Sequence, residues 1–218
     1  MAVGPDVTRF MNSVRSRLTG AIDAVIQQEL FTVMDDFFKG SNTWQQNIEI
    51  TIPGMDPSGT IYYLTSDTPS VIDKLMWAFE KPHSVDFSRG PQIGCAMQIP
   101  GSITLDLQPN SPTTYIFTVA LTVQDPLTRD GYVTFPAWVL AKYRNTIMDG
   151  VLGRMMSQPS KPYTNNQMAV FHMRKFNIGV AHARVEMTRN NKYRQQAWSF
   201  PGFARGSQRG RSGWSPPQ

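Results

Sequence analysis

Between Val7 and Phe37 apolar residues return every three or four positions, at Phe10, Val14, Leu18, Ala21, Val25, Leu30 and Val33. That spacing lines one face of a helix and predicts a single long element from about Asp6 to Phe38. Asp6 suits the cap at its start, and Lys39-Gly40-Ser41-Asn42 supplies the stop. Gly20 is about 1 kcal/mol worse than Ala inside a helix, so it marks the place where this one can break or kink.

From Thr43 to Asp125 the period shortens to two. Ile48, Ile50 and Ile52 alternate with Asn47, Glu49 and Thr51, the signature of a strand with one buried face. Pro53 to Gly59 is a loop, and Ile61-Tyr62-Tyr63-Leu64 resumes extended structure. Val71 to Phe79 mixes apolar and polar residues on both faces and leans towards strand. Further strands are predicted over Ile93 to Ile99, Ser102 to Leu107 and Thr114 to Val123, separated by Pro100-Gly101 and Pro109-Asn110-Ser111-Pro112. The last is the clearest, with Tyr115, Phe117, Val119, Leu121 and Val123 facing one way.

Helical spacing returns at Pro136, a residue suited to a first turn. Trp138, Leu140, Ala141, Ile147, Val151, Leu152 and Met155 form one stripe. After the break at Pro159-Ser160-Lys161-Pro162, Met168, Phe171, Phe176, Val180, Ala183 and Met187 form another. So short a connection predicts antiparallel helices in contact. Gly150 and Gly179 are either points of close approach or tolerated small residues. The chain then divides into a helix over 1–42, a β-rich insertion over 43–126, a helical hairpin over 127–190 and an extended arm over 191–218. The expected class is α+β: mainly an α-helical bundle, carrying an inserted β extension and the C-terminal arm.

Charge is most one-sided at the end of the chain. The net charge of +5 is modest, but from Arg189 to Gln218 there are six Lys or Arg and no Asp or Glu. Arg194, Arg205, Arg209 and Arg211 interleave with Trp198, Phe200, Phe203 and Trp214 in a Gly-, Ser- and Pro-rich segment without apolar period. Such a segment does not fold alone and is expected to order on an acidic partner. Arginine and aromatics suit both protein hot spots and base stacking.

Candidate chemistry is sparse. His172 and His182 lie ten residues apart on one helix, too far for a shared metal, and His83 sits after Pro82 in a loop. Asp35 and Asp36 are adjacent and diverge on a helix, and the single Cys95 reads as a buried, inert thiol. No nucleotide-binding, hydrolase or zinc-protease motif occurs. The expectation is therefore no enzyme, no cofactor and no metal. No run reaches the roughly 20 apolar residues of a membrane span, and the N-terminus lacks the pattern of a signal peptide, so no membrane is expected as a partner.

Leu121 to Phe176 carries a more specific pattern. A strand ends at Pro126 and a helix opens with Pro136-Ala137-Trp138-Val139-Leu140. Tyr143 and the small Gly150 follow, then the break Lys161-Pro162-Tyr163 with Asn165, and a second helix with Ala169 and Phe176. In this order the segment resembles the C-terminal half of the head-to-tail adaptor (connector) proteins of short-tailed bacteriophages. The long first helix and the Ile61-Tyr62-Tyr63-Leu64 strand fit the same family, whereas the tail from Trp198 has no residue-by-residue counterpart.

The resemblance implies a structural virion protein of the neck, assembled in the host cytoplasm into a ring of twelve copies under the portal protein. Trp138, Tyr143, Gly150, Tyr163, Ala169 and Phe176 would be packing positions of the bundle. The C-terminal arm would bind the portal, and a tail nozzle or tail-tube protein would meet the opposite side. Genomic DNA would pass through the channel without sequence-specific contact. Two alternatives stay open: another tail or neck component, and a nucleic-acid-binding module using the basic tail.

Overall fold

The first helix stops short of its expected length. The computed structural model describes residues 5–67, 70–81, 90–124 and 135–190, and within them the long element is two helices, α1 (Pro5–Arg15) and α2 (Asp23–Ser41). Gly20 takes φ +85°, which only glycine adopts without strain, and the chain turns there. A Cβ at this position would also stand 3.1 Å from Pro162 of the later helical connection. The turn lets α1 lie along the C-terminal hairpin, burying Phe10, Val14 and Leu18, while Arg144 donates to Ser13 Oγ at 2.8 Å. The cap expected of Asp6 lies outside the described side chains.

α2 ends on Asn42 in the left-handed conformation, its N–H donating to Phe38 O at 2.9 Å. The chain then enters two three-stranded antiparallel sheets. The first is ordered β1 (Gln45–Ile52), β6 (Thr113–Val123), β3 (Ser70–Glu80); the second is β2 (Ile61–Tyr63), β5 (Ser102–Leu105), β4 (Cys95–Ile99). Register follows the alternation: Ile48 opposes Phe117 and Ile50 opposes Tyr115, so the apolar positions of β1 and β6 share a face. In the second sheet Tyr62 opposes Ile103 and Cys95 opposes Leu105. These inward residues join Phe117 and Ile72 of the first sheet in one core.

That core does not stop at the sheets, and here the fold departs from a mainly helical bundle with a β extension. The described residues form a mixed assembly of four helices and two antiparallel sheets, and α2 belongs to both halves. Its Phe38 ring lies 5.2 Å from Trp44, Asp35 accepts from Thr122 of β6 at 2.7 Å, and Lys74 of β3 donates to Lys39 O at 3.1 Å. The central strand β6 is buried on both faces from Ala120 to Val123, and α2 packs against it. The correction is physical: periodicity located the strands but carried no signal that α2 would cover β6.

Tyr62 closes the far end of the second sheet. Its hydroxyl lies 2.7 Å from Asp56 Oδ2 and 2.9 Å from the Gln108 amide oxygen. With one hydrogen to give, it donates to the carboxylate; turning the Gln108 amide over lets the otherwise unpartnered Nε2 donate to the phenol. Burial first, and then Asp56, push the Tyr62 pKa up to about 12. The folded protein thus holds this proton more tightly than the unfolded chain, whose tyrosine titrates near 10. Stability from this group is full below pH 10 and is lost as pH rises towards 12. Thermal unfolding between pH 9 and 12 is expected to show a steeper alkaline decline in the wild type than in Tyr62→Phe.

Candidate assembly surface

The C-terminal hairpin is built from close approach. α3 (Ala137–Met156) starts behind Pro136, whose extended backbone serves as its N-cap residue. At Tyr143 the backbone leaves helical values (φ −113°, ψ 20°) and the helix kinks. The Tyr143 ring lies 5.1 Å from Phe37 and 6.3 Å from Trp138, and its hydroxyl donates to Glu186 at 3.0 Å. Burial first, then Glu186, raise the Tyr143 pKa. Lys142 bonds the same carboxylate at 2.6 Å, which raises the lysine pKa and lowers that of Glu186.

The connection from Ser157 to Asn165 is fixed by its own bonds. Thr164 donates to Gln158 O at 2.6 Å, Asn165 N–H to Met156 O at 3.0 Å, and Tyr163 to Gln158 Oε1 at 3.2 Å. Asn165 then caps α4 (Asn166–Asn190), its Oδ1 accepting from Met168 N–H at 3.1 Å. Where the helices cross, glycines face side chains. A Cβ at Gly150 would come within 2.6 Å of Val33 and 2.8 Å of Phe176; one at Gly179 would meet Thr146 at 2.4 Å. Both are points of close approach. His172 is buried, and its Nδ1 lies 2.8 Å from Asp149 Oδ1, tying α4 to α3. His182 is exposed on the same helix.

The expected packing residues separate into two groups. Gly150, Ala169 and Phe176 are buried between helices, whereas Tyr143 and Tyr163 are half-buried and Trp138 is exposed, with Val139 and Leu140 taking the core instead. On α4 the expected apolar stripe holds at Phe176, Val180 and Ala183 but not in the first turns. Ala169, His172, Phe176 and Ala183 face the core, while Met168 and Phe171 point outward.

Phe171 belongs to a second stripe. Phe171, Ile178 and Val185 are 48%, 59% and 49% exposed. Seven residues apart, they form a seam opposite the buried face. Arg174, Lys175 and Arg189 flank this seam, and Lys175 Nζ stands 4.7 Å from the Phe171 ring centroid. Among the described residues none of these three cations forms an ion pair. The heptad interval was the sequence signal for this face, and it was masked by the stronger stripe beside it.

The arm residues Arg194, Trp198, Phe200, Phe203, Arg205, Arg209, Arg211 and Trp214, and His83, lie outside the described residues. Among those described, no cluster of three or more His, Cys, Asp or Glu is placed to hold a metal, and no helix is long and apolar enough to cross a membrane. Cys95 is a half-buried free thiol, its pKa raised by burial and by Asp106. No protein-family model matches the chain, and no curated protein does.

Proposed function

We propose that the protein is a structural part of a bacteriophage virion, a head-to-tail adaptor that forms a ring beneath the portal. The observation that carries this reading is the double-faced α4. One face completes the molecule's own core; the other presents apolar and basic side chains at heptad spacing, an arrangement suited to assembly. The tight hairpin supports it as well, because Gly150, Ala169 and Phe176 are positions on which the resemblance to adaptor proteins rests. In this role the ring extends the DNA channel, the basic arm docks on the portal, and a tail nozzle or tail-tube protein attaches to the far side. The protein works by shape and attachment, and no chemical step is required of it.

The test is to mix purified full-length protein with the portal ring of the same virus and image the product by electron microscopy. A ring of added density beneath the portal is expected. No added density, together with steeply salt-dependent binding of nucleic acid, would replace this reading with that of a nucleic-acid-binding module.

A further inference from the structure

The charges of the chain are sorted by structural unit. Residues 43–126 hold eight Asp or Glu against three Lys or Arg, whereas residues 127–190 hold nine Lys or Arg against three Asp or Glu. The basic residues of the first unit are Lys74, Lys81 and Arg89. The two segments that build the β2-β5-β4 sheet and its loops, 53–67 and 90–112, contain no Lys or Arg and carry Asp56, Asp67 and Asp106. This sheet also has an apolar outer face. Tyr62, Ile103 and Leu105 point into the core, so Ile61 and Tyr63 point away, with Tyr63 75% exposed; Ile99 is exposed on β4. At its end Leu107 follows Asp106 and Met55 precedes Asp56. The Met55 N–H bond to Pro109 O at 2.9 Å holds these two segments together.

We infer that the outer face of α4 docks on the outer face of the β2-β5-β4 sheet of a second copy. Apolar Phe171, Ile178 and Val185 meet Ile61, Tyr63 and Ile99, and the cations of α4 meet the acidic rim of the sheet. Other occupants of the α4 face are disfavoured by charge or shape. Two α4 faces against each other would oppose like charges, a repulsion of the kind that excludes partners. The residues after Asn190 carry five further Lys or Arg and no acid, so they repel the same face. A nucleic-acid backbone would satisfy the cations but leave the three apolar side chains unmatched. Because the two docking faces are different surfaces of one chain, the contact is head-to-tail and leaves each copy with a free complement, the geometry that builds a ring when its rotation closes. The inference rests on the ring reading above and names the surfaces that would form it.

Complementation between two full-length variants tests it. Arg174→Glu/Lys175→Glu disables the helix face, and Ile61→Arg/Tyr63→Arg disables the sheet face; Phe171→Gln/Ile178→Gln serves as a second helix-face variant. All six positions are surface positions, so melting temperatures close to wild type are expected. Sedimentation equilibrium at up to about 1 mM, the effective concentration of neighbours on a shared template, is expected to show wild-type association weakened at least about tenfold in each variant. Mixing a helix-face variant with the sheet-face variant should yield a 1:1 pair that grows no further. A wild type that stays monomeric at that concentration overturns the pairing, as does failure of the mixture to pair. So does a helix-face variant that loses only DNA binding. If the ring on the portal forms while the mixture fails, the face assignment falls and the adaptor reading stands. If the mixture pairs but nothing attaches to the portal, the reverse holds.

Discussion

Phe37→Ala is expected to destabilise the protein by about 3–5 kcal/mol, a large share of the roughly 5–15 kcal/mol that holds a domain folded. Phe37 is fully buried on α2, 5.8 Å from Phe38 and 5.1 Å from Tyr143 by ring centroids. Among the described helices α2 alone touches α1, α3, α4 and β6, so its interior side chains fill the junction between the hairpin and the sheets. Truncation there leaves a cavity that rigid neighbours on several elements cannot collapse to fill. For a chain of this size the loss corresponds to a fall of about 6–20 °C in melting temperature. Urea unfolding should show a lower midpoint with an unchanged slope, since the change acts on stability and not on the surface exposed. Ile22→Ala, at a residue 67% exposed just before the same helix, should change stability by no more than about 0.5 kcal/mol. Equal effects at the two sites would mean that α2 is not the shared core element.

Much of this architecture is legible in the chain, because burial on one face writes a period into the sequence. β1 and β6 could be read from Ile48, Ile50, Tyr115 and Phe117, each in the register its alternation requires. β3 was harder to read for a reason the structure supplies. Its register shifts between Ile72 and Lys74 and again between Leu75 and Trp77, and each irregularity resets which side chain faces inward. An alternating pattern broken twice in eleven residues resembles no pattern at all. The break at Gly20 was readable as a weakness, but the packing of this turn beside Pro162, far away in sequence, was not.

Long-range partnership left still less trace. Nothing in Asp35 or Phe38 announces Thr122 and Trp44 as neighbours, so the strands were expected as an extension on a helical bundle when helices and strands share one core. On α4 two apolar stripes compete within one helix. A single-face reading merged them, adding Met168 and Phe171 to the core stripe and leaving out His172. Small and polar residues can occupy a buried face where helices approach closely, as they do beside Gly150 and Gly153. Large apolar side chains on the opposite face are then free for contacts with other molecules.

Deleting the residues after Asn190 is expected to abolish attachment to the portal while leaving the fold intact. The deleted segment contains Trp198, Phe200, Phe203 and Trp214, with five Lys or Arg and no acidic residue. None of the described core residues lies beyond Ala183, so the deletion removes no part of that core. The melting temperature of the truncated protein should therefore match that of the full chain within a few degrees. Binding behaves differently. Each aromatic side chain fully buried on a partner contributes up to about 3 kcal/mol before the cost of ordering the arm is subtracted. Arms engaging together around a ring convert a modest contact per subunit into effectively permanent attachment. Loss of the arm should accordingly remove portal binding outright in a co-sedimentation assay. Single replacements of Trp198 or Trp214 should instead slow assembly and raise its concentration requirement. If the head-to-tail contact between copies is independent of the arm, the truncated chain still pairs with its own kind at high concentration. Attachment of the truncated protein to the portal at wild-type affinity would show that the arm is not the docking element and would return attention to the α4 face.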